Sequence, residues 1–400
     1  MNNASNTPRR LLTALLGVAL TAPIALPARA GGHWADAWAT SLHSSAAAVV
    51  PPAYENQSIR MVVRMRGDGD QVRVRLSNLH GDRPVTFGAA TVALRSSGPA
   101  LAEGTLRRLA FGGAPSVTVP AGQEVSSDPV ELKVRSGQDL AVSIYLPDAT
   151  GPATWHRSAV QTNYLTTGDH TADEDGGSFT TTVRSWLFLN AVAVTHGPTH
   201  ETLAALGDSI TDGSGTAVDG FERWPDHLAA RLAAVPGRDP AVVNVGIGGN
   251  RVLADTAQDG LSVLNRLEHD VLTRDGLRYV LLLEGTNDLR NRATAGRLVT
   301  AYRQIADRVH AAGARIIGGT LPPLKGSAGY DEALEAERQA VNTWITTGGA
   351  FDGVVDFASA LADPADPLRY LPAYDRGDHI HPNAAGFAAM AAAVDLDLLR

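Results

Sequence analysis

The stretch ALGDSITDG, residues 205–213, places one serine between an aspartate and an isoleucine, directly after a short apolar run. A strand that leads through a Gly-Asp-Ser turn into a helix would present the Ser209 hydroxyl at a sheet edge, where it could act as a nucleophile. The alternative is a helix N-cap, since Ser and Asp are both favoured at that position. The Gly-x-Ser-x-Gly elbow is absent, because it would need a glycine in place of Thr211.

Two later segments, one rich in glycine and one polar, likewise follow strand-like runs. Residues 244–251, NVGIGGNR, would let a substrate come close to the backbone, but they lack both Gly-x-Gly-x-x-Gly and the Lys-Ser/Thr ending of a phosphate cradle. A plain β-to-α turn is the other interpretation of this segment. Asn287, in the segment GTND at residues 285–288, could aim its amide N–H at an oxyanion or form an Asx-turn or helix cap.

The segment DRGDHIHPN, residues 375–383, places Asp378 three residues before His381. An aspartate at that spacing can orient an imidazole, which can then deprotonate a serine. The alternative is a metal site formed by His379, His381 and Asp378. Zinc is disfavoured because no separate Glu, His or Cys cluster supplies a further ligand and a base.

In this order the four segments resemble the SGNH hydrolase superfamily, also called the GDSL esterase/lipase family. The resemblance covers roughly residues 200–400, and all four blocks match. It implies that Ser209 is the nucleophile, that His381 is the general base and that Asp378 orients His381.

The same resemblance implies an oxyanion hole built from the backbone N–H groups of Ser209 and Gly249 and the Asn287 side chain. Gly249 is preferred over Gly248 because of its place after Ile247-Gly248. The resemblance implies neither a metal nor an organic cofactor.

From about residue 200 onward, strand-like and helix-like runs alternate, which predicts an α/β fold with a parallel sheet in three layers, flavodoxin-like in type. In such a sheet ligands bind outside the carboxyl ends of the strands, where the segments above should meet. The predicted strands are 203–206, 241–245, 279–283, 316–317 and 354–357, and the predicted helices are 224–232, 261–267, 299–311, 332–345 and 384–398.

Residues 34–196 instead alternate apolar and polar with period two, which predicts an all-β sandwich or jelly roll. Residues 59–65 and 72–76 flank a Gly/Asp turn and predict a β-hairpin. Further predicted strands are 85–94, 116–119, 130–134, 140–146 and 186–194. As an accessory domain, this part could bind carbohydrate, narrow the mouth of the active site or only stabilise the catalytic domain.

The N-terminus predicts a cleaved secretion signal over residues 1–30, with Arg9 and Arg10, an apolar core at 11–20 and a small-x-small site at 28–30. A membrane anchor is disfavoured, since prolines interrupt the short run. The predicted division is therefore a signal at 1–30, a β-sandwich at 31–197 and a hydrolase domain at 198–400. The boundary between the two domains is expected at Gly197-Pro198. The protein is expected to be secreted or periplasmic.

Composition excludes several classes of partner. A net charge of −8 over 400 residues argues against a nucleic-acid or anionic-membrane partner. With no cysteine there can be no disulfide, and no later apolar run is long enough for stable membrane insertion.

The sequence thus predicts a secreted serine esterase that removes short acyl or acetyl groups from a small-molecule or polysaccharide ester. The alternatives are a lipase or lysophospholipase-type acyl hydrolase, and a glycan-binding surface protein with a silent hydrolase fold. Among weaker candidates, His156 could be a core residue or line a sugar-binding face, Trp34 and Trp38 are expected to pack, and residues 169–176 could be a solvated loop or a calcium site.

Overall fold

The computed structural model describes Met1 and residues 34–43, 52–195, 201–235 and 240–400. Apart from Met1, the predicted signal at 1–30 lies outside the described residues, as does the expected boundary at Gly197-Pro198. Both therefore stay predictions.

Residues 34–195 are built from strands, and their described part contains no helix. Antiparallel pairing is expected from their period-two pattern and short turns. The strands are β1 (Trp34–Ala39), β2 (Gln57–Arg64), β3 (Gly69–Ser77), β4 (Val85–Phe87), β5 (Ala89–Ser97), β6 (Ala100–Leu101), β7 (Arg107–Arg108), β8 (Val117–Val119), β9 (Glu124–Ser126), β10 (Val130–Val134), β11 (Asp139–Leu146), β12 (Trp155–His156), β13 (Asn163–Thr167), β14 (Thr181–Val183), β15 (Trp186–Leu187) and β16 (Leu189–Thr195).

These strands form two main antiparallel sheets. One has the order β1-β16-β3-β10, with β9 also paired to β3, and the other has the order β14-β13-β2-β11-β5-β6, with β7 also paired to β5. Apolar side chains of both sheets pack into one buried core, including Ile59 and Val142 from one sheet and Val74 and Val192 from the other. We call residues 34–195 the β-rich region.

The predicted hairpin of residues 59–65 and 72–76 is wrong. β2 pairs with β11 and β13, whereas β3 pairs with β16, β10 and β9, so the chain passes from one sheet to the other between them. Ser58 and Arg60, which should face solvent in a simple hairpin, are fully buried. Alternation alone identifies a strand but carries no information on its partner, which is why the pairing was mispredicted.

The predicted strand at 85–94 is two strands interrupted at Gly88. β4 pairs with β8, while β5 pairs with β11. A Cβ at Gly88 would lie 3.1 Å from the Tyr145 ring, so a side chain would be crowded at this interruption.

Residues 201–400 alternate strands and helices, as predicted. The strands are β17 (Thr202–Gly207), β18 (Ala241–Asn244), β19 (Leu277–Leu283), β20 (Arg315–Gly319), β21 (Gly353–Val355), β22 (Ala362–Asp363) and β23 (Asp366–Tyr370). The helices are α1 (Ser209–Asp212), α2 (Trp224–Ala233), α3 (Val263–Leu267), α4 (Thr286–Arg290), α5 (Ala295–Ala311), α6 (Glu332–Thr347), α7 (Phe357–Leu361) and α8 (Ala384–Ala393), with a π-helical turn at Glu268–Leu272 and a 3₁₀ turn at Leu396–Leu399.

The closing helix is shorter than the predicted range of 384–398. Val394 has an extended backbone, and the Asp395 side chain accepts a hydrogen bond from the Asp397 N–H to start the separate 3₁₀ turn. None of the described helices has the length and apolar character needed to cross a bilayer.

β17 to β21 form a parallel sheet with the order β18-β17-β19-β20-β21. This order reverses direction between β17 and β19, and such a switch point opens a crevice at the carboxyl ends of the two strands. β17 ends at Gly207 and β19 at Leu283, which pair directly with each other. The segments that begin at Asp208 and Glu284 therefore start side by side. We call residues 201–400 the α/β region.

The two regions share buried contacts and belong to one compact unit, His33–Arg400. Ala39 and Ala191 of the β-rich region join the apolar core of the parallel sheet, and Ala241 joins the core of the β-rich region. The two regions therefore pack directly against each other through apolar contacts.

Candidate active site

Ser209 lies at the carboxyl end of β17, as the first residue of α1. The preceding residue caps the helix, because the Asp208 carboxylate accepts a hydrogen bond from the Ile210 N–H at 2.9 Å. The helix-cap interpretation therefore applies to Asp208 and leaves the Ser209 hydroxyl available to another partner.

That partner is His381. The Ser209 Oγ lies 2.8 Å from His381 Nε2, and His381 Nδ1 lies 2.8 Å from an Asp378 carboxylate oxygen. Because the carboxylate accepts a hydrogen bond from Nδ1–H, Nε2 carries the free lone pair and can accept the proton of the serine hydroxyl. The structure thus brings these three sequence-predicted residues into one hydrogen-bonded chain.

The Asp378 carboxylate is held in its charged form. Burial alone would raise its pKa, but hydrogen bonds from the His381 backbone and side chain and from the Ile380 backbone outweigh that and hold the pKa below its ordinary value. The Tyr370 hydroxyl donates to the Ile380 carbonyl at 2.7 Å and braces the loop. A fixed negative charge beside His381 stabilises the imidazolium that forms when His381 takes a proton.

His379 does not share this arrangement. Its backbone is left-handed, with φ at 59°, and its Nδ1 contacts the Asp375 carboxylate. His379, His381 and Asp378 are therefore not assembled into one ligand set, and no cluster of three or more His, Cys, Asp or Glu side chains suited to a metal occurs among the residues that the structure describes.

The turn after β18 distinguishes Gly248 from Gly249. The Gly248 N–H donates to the Asp212 carboxylate at 3.0 Å, whereas the Gly249 N–H has no acceptor within the described chain. Gly249 has φ at +83°, and a Cβ there would lie 2.6 Å from Asp259 Cγ. The N–H of Ser209 also has no acceptor within α1, as expected for a first helical residue. Ser209 and Gly249 therefore each offer a backbone N–H to a ligand.

Asn287 lies in α4, directly after β19. Its Nδ2 donates to the Asn250 carbonyl at 3.0 Å, and its contact with the Asp208 carboxylate is long, at 3.5 Å. One N–H is thus used to fix the amide, and the second is available to a ligand.

Ser209, Gly249, Asn287 and His381 line one open cleft of about 410 Å³. The β-rich region forms part of its wall through residues that the sequence analysis missed, since no local pattern places them near the α/β region. These are His43, Arg157 and Ser158. Further lining residues include Asp212, Ser214, Asp259 and Arg290.

His156 is a buried residue, as one of the two sequence interpretations expected, and does not line the cleft. Its Nε2 lies 3.0 Å from the Asp212 carboxylate, a contact that the sequence did not predict. Trp38 is also buried and packs edge-on against Trp186, with ring centroids 5.0 Å apart.

The loop at residues 169–176 uses its carboxylates internally. His170 Nδ1 lies 2.7 Å from the Asp173 carboxylate, which also accepts from the Ser178 hydroxyl at 2.7 Å. Asp169 accepts from the Thr171 hydroxyl at 2.7 Å. These contacts match the solvated-loop interpretation and leave the calcium alternative without support.

Three buried carboxyl groups lie behind the serine. Burial, with the nearby charges of Asp288 and Asp212, raises the pKa of Asp208 to about 7. Burial likewise raises the pKa of Glu284 well above its ordinary value. Burial also raises the pKa of Asp288. Raised pKa values favour the neutral forms of these groups, and each neutral form lowers the negative charge that opposes an oxyanion at Ser209.

Comparison with known proteins identifies the family of the α/β region. A sequence profile of the GDSL-like Lipase/Acylhydrolase family matches residues 205–389. No curated protein matches the chain significantly.

Solved structures that resemble the chain overlap with about half of it. A lipolytic protein of the G-D-S-L family from Veillonella parvula has 20% identity and a TM-score of 0.38, covering 49% of this chain and 96% of its own. A variant of an acetyl-xylooligosaccharide esterase from Geobacillus Stearmophilus has 23% identity and a TM-score of 0.39, covering 50% of this chain and 94% of its own. The profile match identifies residues 205–389 of this chain as a GDSL-like lipase/acylhydrolase domain.

Proposed function

We propose that this protein is a serine esterase that hydrolyses carboxylic esters with Ser209 as nucleophile, His381 as general base and Asp378 as the group that orients His381. The observation that carries the proposal is the continuous hydrogen-bonded chain from Ser209 Oγ through His381 to Asp378, with both links at 2.8 Å. The family match supports an acyl hydrolase in general terms.

In the acylation step, Ser209 Oγ forms a bond to the ester carbonyl carbon while His381 Nε2 takes the hydroxyl proton. The carbonyl oxygen becomes an oxyanion that accepts hydrogen bonds from the N–H groups of Ser209 and Gly249 and from Asn287 Nδ2. One such donor is typically worth about 3–4 kcal/mol in the transition state. The C–O bond of the ester then breaks, and the alcohol leaves with the proton from His381.

Deacylation repeats the sequence with water in place of Ser209. His381 takes a proton from the water, the hydroxide adds to the acyl carbon, and the oxyanion forms in the same hole. Collapse releases the carboxylic acid and returns the proton to Ser209 Oγ. No step requires a metal or organic cofactor.

For the substrate, we favour acetyl or other short acyl groups on carbohydrate. The cleft is open and its wall carries polar side chains, among them Arg157, Ser158, Asp259 and Arg290, which suit sugar hydroxyl groups. The β-rich region, which we propose to be a jelly-roll-like accessory domain beside a three-layer α/β domain, supplies part of that wall. We also propose export of the protein to the periplasm or medium, on the basis of the signal pattern at residues 1–30.

A lipase or lysophospholipase is the alternative enzyme, since it would use the same serine chemistry. A glycan-binding protein with a silent hydrolase fold is the alternative without catalysis. The hydrogen-bonded Ser209 and His381 argue against the silent alternative, because a binding module has no need for such a pair.

The test is hydrolysis of acetyl, butyryl and octanoyl p-nitrophenyl esters and of acetylated oligosaccharides by wild type and Ser209→Ala. We expect activity highest on acetyl esters and abolished by the substitution. A preference for octanoyl esters would favour the lipase alternative, and a folded wild type without turnover that still binds oligosaccharides would favour the silent one.

A further inference from the structure

A buried contact joins the β-rich region to the helix that begins at Ser209. His156, at the end of β12, is 1% exposed, and Asp212, the last residue of α1, is 5% exposed. His156 Nε2 lies 3.0 Å from Asp212 Oδ1, and His156 Nδ1 lies 2.8 Å from the Ser41 carbonyl oxygen. The imidazole is therefore held from both sides, by its own region and by the α/β region.

The protonation of this pair follows from its partners. A carbonyl oxygen can only accept, so His156 Nδ1 must carry a proton and donate it to Ser41. Nε2 faces a carboxylate oxygen, so a second proton must lie between His156 and Asp212. The contact is thus a hydrogen bond that fixes the orientation of the Asp212 carboxylate.

The Asp212 carboxylate also contacts the glycine turn. Its second carboxylate oxygen, Oδ2, accepts the Gly248 N–H at 3.0 Å. The next residue is Gly249, which has a left-handed backbone and whose N–H has no acceptor among the described residues. Holding one peptide group of a tight turn restricts the orientation of the peptide group that follows it.

We propose that His156 and Asp212 are positioning residues: the β-rich region, through His156, fixes the Asp212 carboxylate, which in turn orients the Gly248-Gly249 turn toward the reacting carbonyl. The catalytic part of this inference rests on the proposed function, in which the Gly249 N–H is an oxyanion donor. It gives the β-rich region a role in turnover in addition to its contribution to the wall of the cleft.

The first variants are Asp212→Ala, which removes the acceptor of the Gly248 N–H, and Asp212→Asn, which can restore it. In Asp212→Asn the amide oxygen can accept from Gly248 while the amide nitrogen donates to a neutral His156. The matched control is Asp219→Ala, which removes a carboxylate that also bonds across the two regions, to Gln161 and Thr162, but has no contact with the glycine turn.

The measurements are kcat and KM on an acetyl ester and hydrogen–deuterium exchange of the segment 246–250 in the full chain. For Asp212→Ala we expect faster exchange in that segment and a fall in kcat on the order of 10²-fold, as for a reacting group displaced by about 1 Å, with KM little changed. Asp212→Asn should recover most of both properties, and Asp219→Ala should change neither.

If Asp212→Ala does not fold, His156→Phe is used in its place. The His156 and Trp186 ring centroids are 5.5 Å apart, so a phenylalanine ring can keep this packing. It cannot form a hydrogen bond to Asp212. The same changes are expected for this variant. The proposal would be overturned if the folded variant kept wild-type exchange of residues 246–250 and wild-type kcat. It would also be overturned if Asp219→Ala lost as much kcat and exchange protection as that variant.

A wild type that hydrolyses none of the esters would refute the proposed function instead. The exchange data would then still decide the inference, because the protection of residues 246–250 is measured without substrate. Unchanged protection would overturn it, and lost protection would leave the positioning of the turn supported.

Discussion

Asp208 leaves Ser209 free to react, because the aspartate satisfies the first turn of α1 and the serine does not have to. The same division of labour occurs in the loop that carries the base, where Asp375 engages His379 and Asp378 engages His381. At the scale of single residues, the roles therefore depend on which neighbour already has a partner.

That loop provides a matched pair of histidine substitutions. We expect His381→Asn to lower kcat on an acetyl ester by on the order of 10⁴-fold, because nothing else can take the Ser209 proton. His379→Asn should retain nearly wild-type kcat, since Asn tolerates the left-handed backbone and the side chain has no contact with Ser209. Steady-state kinetics of both variants, with folding checked by circular dichroism, makes the comparison, and equal losses would argue against the assignment of His381.

At the scale of elements, the site depends on three adjacent strands of the parallel sheet. β17 leads to Ser209, β19 to Asn287 and β18 to the glycine turn, and β17 pairs with both of the others. Each element contributes one part of the proposed oxyanion hole at its carboxyl end, so the alignment of these strands decides whether the donors converge.

The glycine turn gives a prediction at this scale. In Gly249→Ala a Cβ would lie 2.6 Å from Asp259 Cγ, and the residue would have to keep φ at +83°. We expect the turn to shift and kcat on an acetyl ester to fall by about 10²–10³-fold, the typical effect of losing one oxyanion donor.

The control for this prediction is Gly296→Ala in α5, where a Cβ would have no neighbour within 4 Å. It should leave kcat unchanged and raise stability slightly, because alanine favours helix more than glycine does. If Gly249→Ala behaved like this control, the turn would have no part in the oxyanion hole.

The sequence predicts the α/β elements well because each has a local signal. Helical spacing marks α2, α5 and α6, and a continuous apolar run marks β19, whose last five residues are all buried. The Asp378 to His381 spacing is also local, and the structure brings this pair to Ser209. In these places the residues that decide the structure are close together in the chain.

Pairings between distant segments could not be predicted in this way. β2 has partners 75 or more residues away rather than β3, and nothing in its alternation identifies them. The same holds for His43 and Arg157 in the wall of the cleft and for the contact between His156 and Asp212. Each depends on how the β-rich region packs against the α/β region, which is a property of the whole chain.

At the scale of the whole molecule, buried charges join the two regions. Arg274 of the α/β region is fully buried. It donates a hydrogen bond to the side-chain oxygen Oδ1 of Asn190 at 2.6 Å and lies 3.7 Å from the Asp36 carboxylate. Among the described residues the Asp36 carboxyl oxygens have no hydrogen-bond partner. Burial raises the pKa of Asp36, and the nearby charges of Arg75 and Arg274 oppose that rise.

We therefore expect Arg274→Met to destabilise the protein by about 3–5 kcal/mol, because it removes one of the buried cations facing Asp36 and the donor of the hydrogen bond to Asn190. The control Arg278→Ala removes an exposed ion pair with Glu201 and should cost less than about 1 kcal/mol. Denaturant unfolding measures both. If both variants lost a similar, small free energy of unfolding, the buried pair would not stabilise the contact between the regions.

A second contact between the regions predicts a pH dependence. His269 Nε2 lies 2.9 Å from Glu124 of the β-rich region, and Nδ1 lies 3.0 Å from Asp270. Burial alone would lower the pKa of His269, but its hydrogen bond to Asp270 and its ion pair with Glu124 raise it to about 9. The folded state therefore binds this proton more tightly than the unfolded state does.

The stabilisation is then fully present below the unfolded pKa, about 6.5, and is lost as pH rises toward about 9, at roughly 1.4 kcal/mol for each unit of pKa shift. We expect His269→Gln to flatten this part of the pH–stability curve, measured by denaturant unfolding between pH 6 and pH 10. The exposed pair of His310 and Asp352 supplies the control His310→Gln, which should leave the slope unchanged. A wild-type curve that is flat over this range would contradict the prediction.

The account depends most on Ser209 as the nucleophile, and the most direct measurement is covalent labelling of the full chain with a fluorophosphonate followed by mass spectrometry of the peptides. Such a reagent phosphonylates an activated serine, so we predict one adduct per chain, on Ser209, that is absent from Ser209→Ala and forms far more slowly in His381→Asn. An adduct on another serine, or a folded wild type that remains unlabelled, would contradict the claim that His381 activates Ser209.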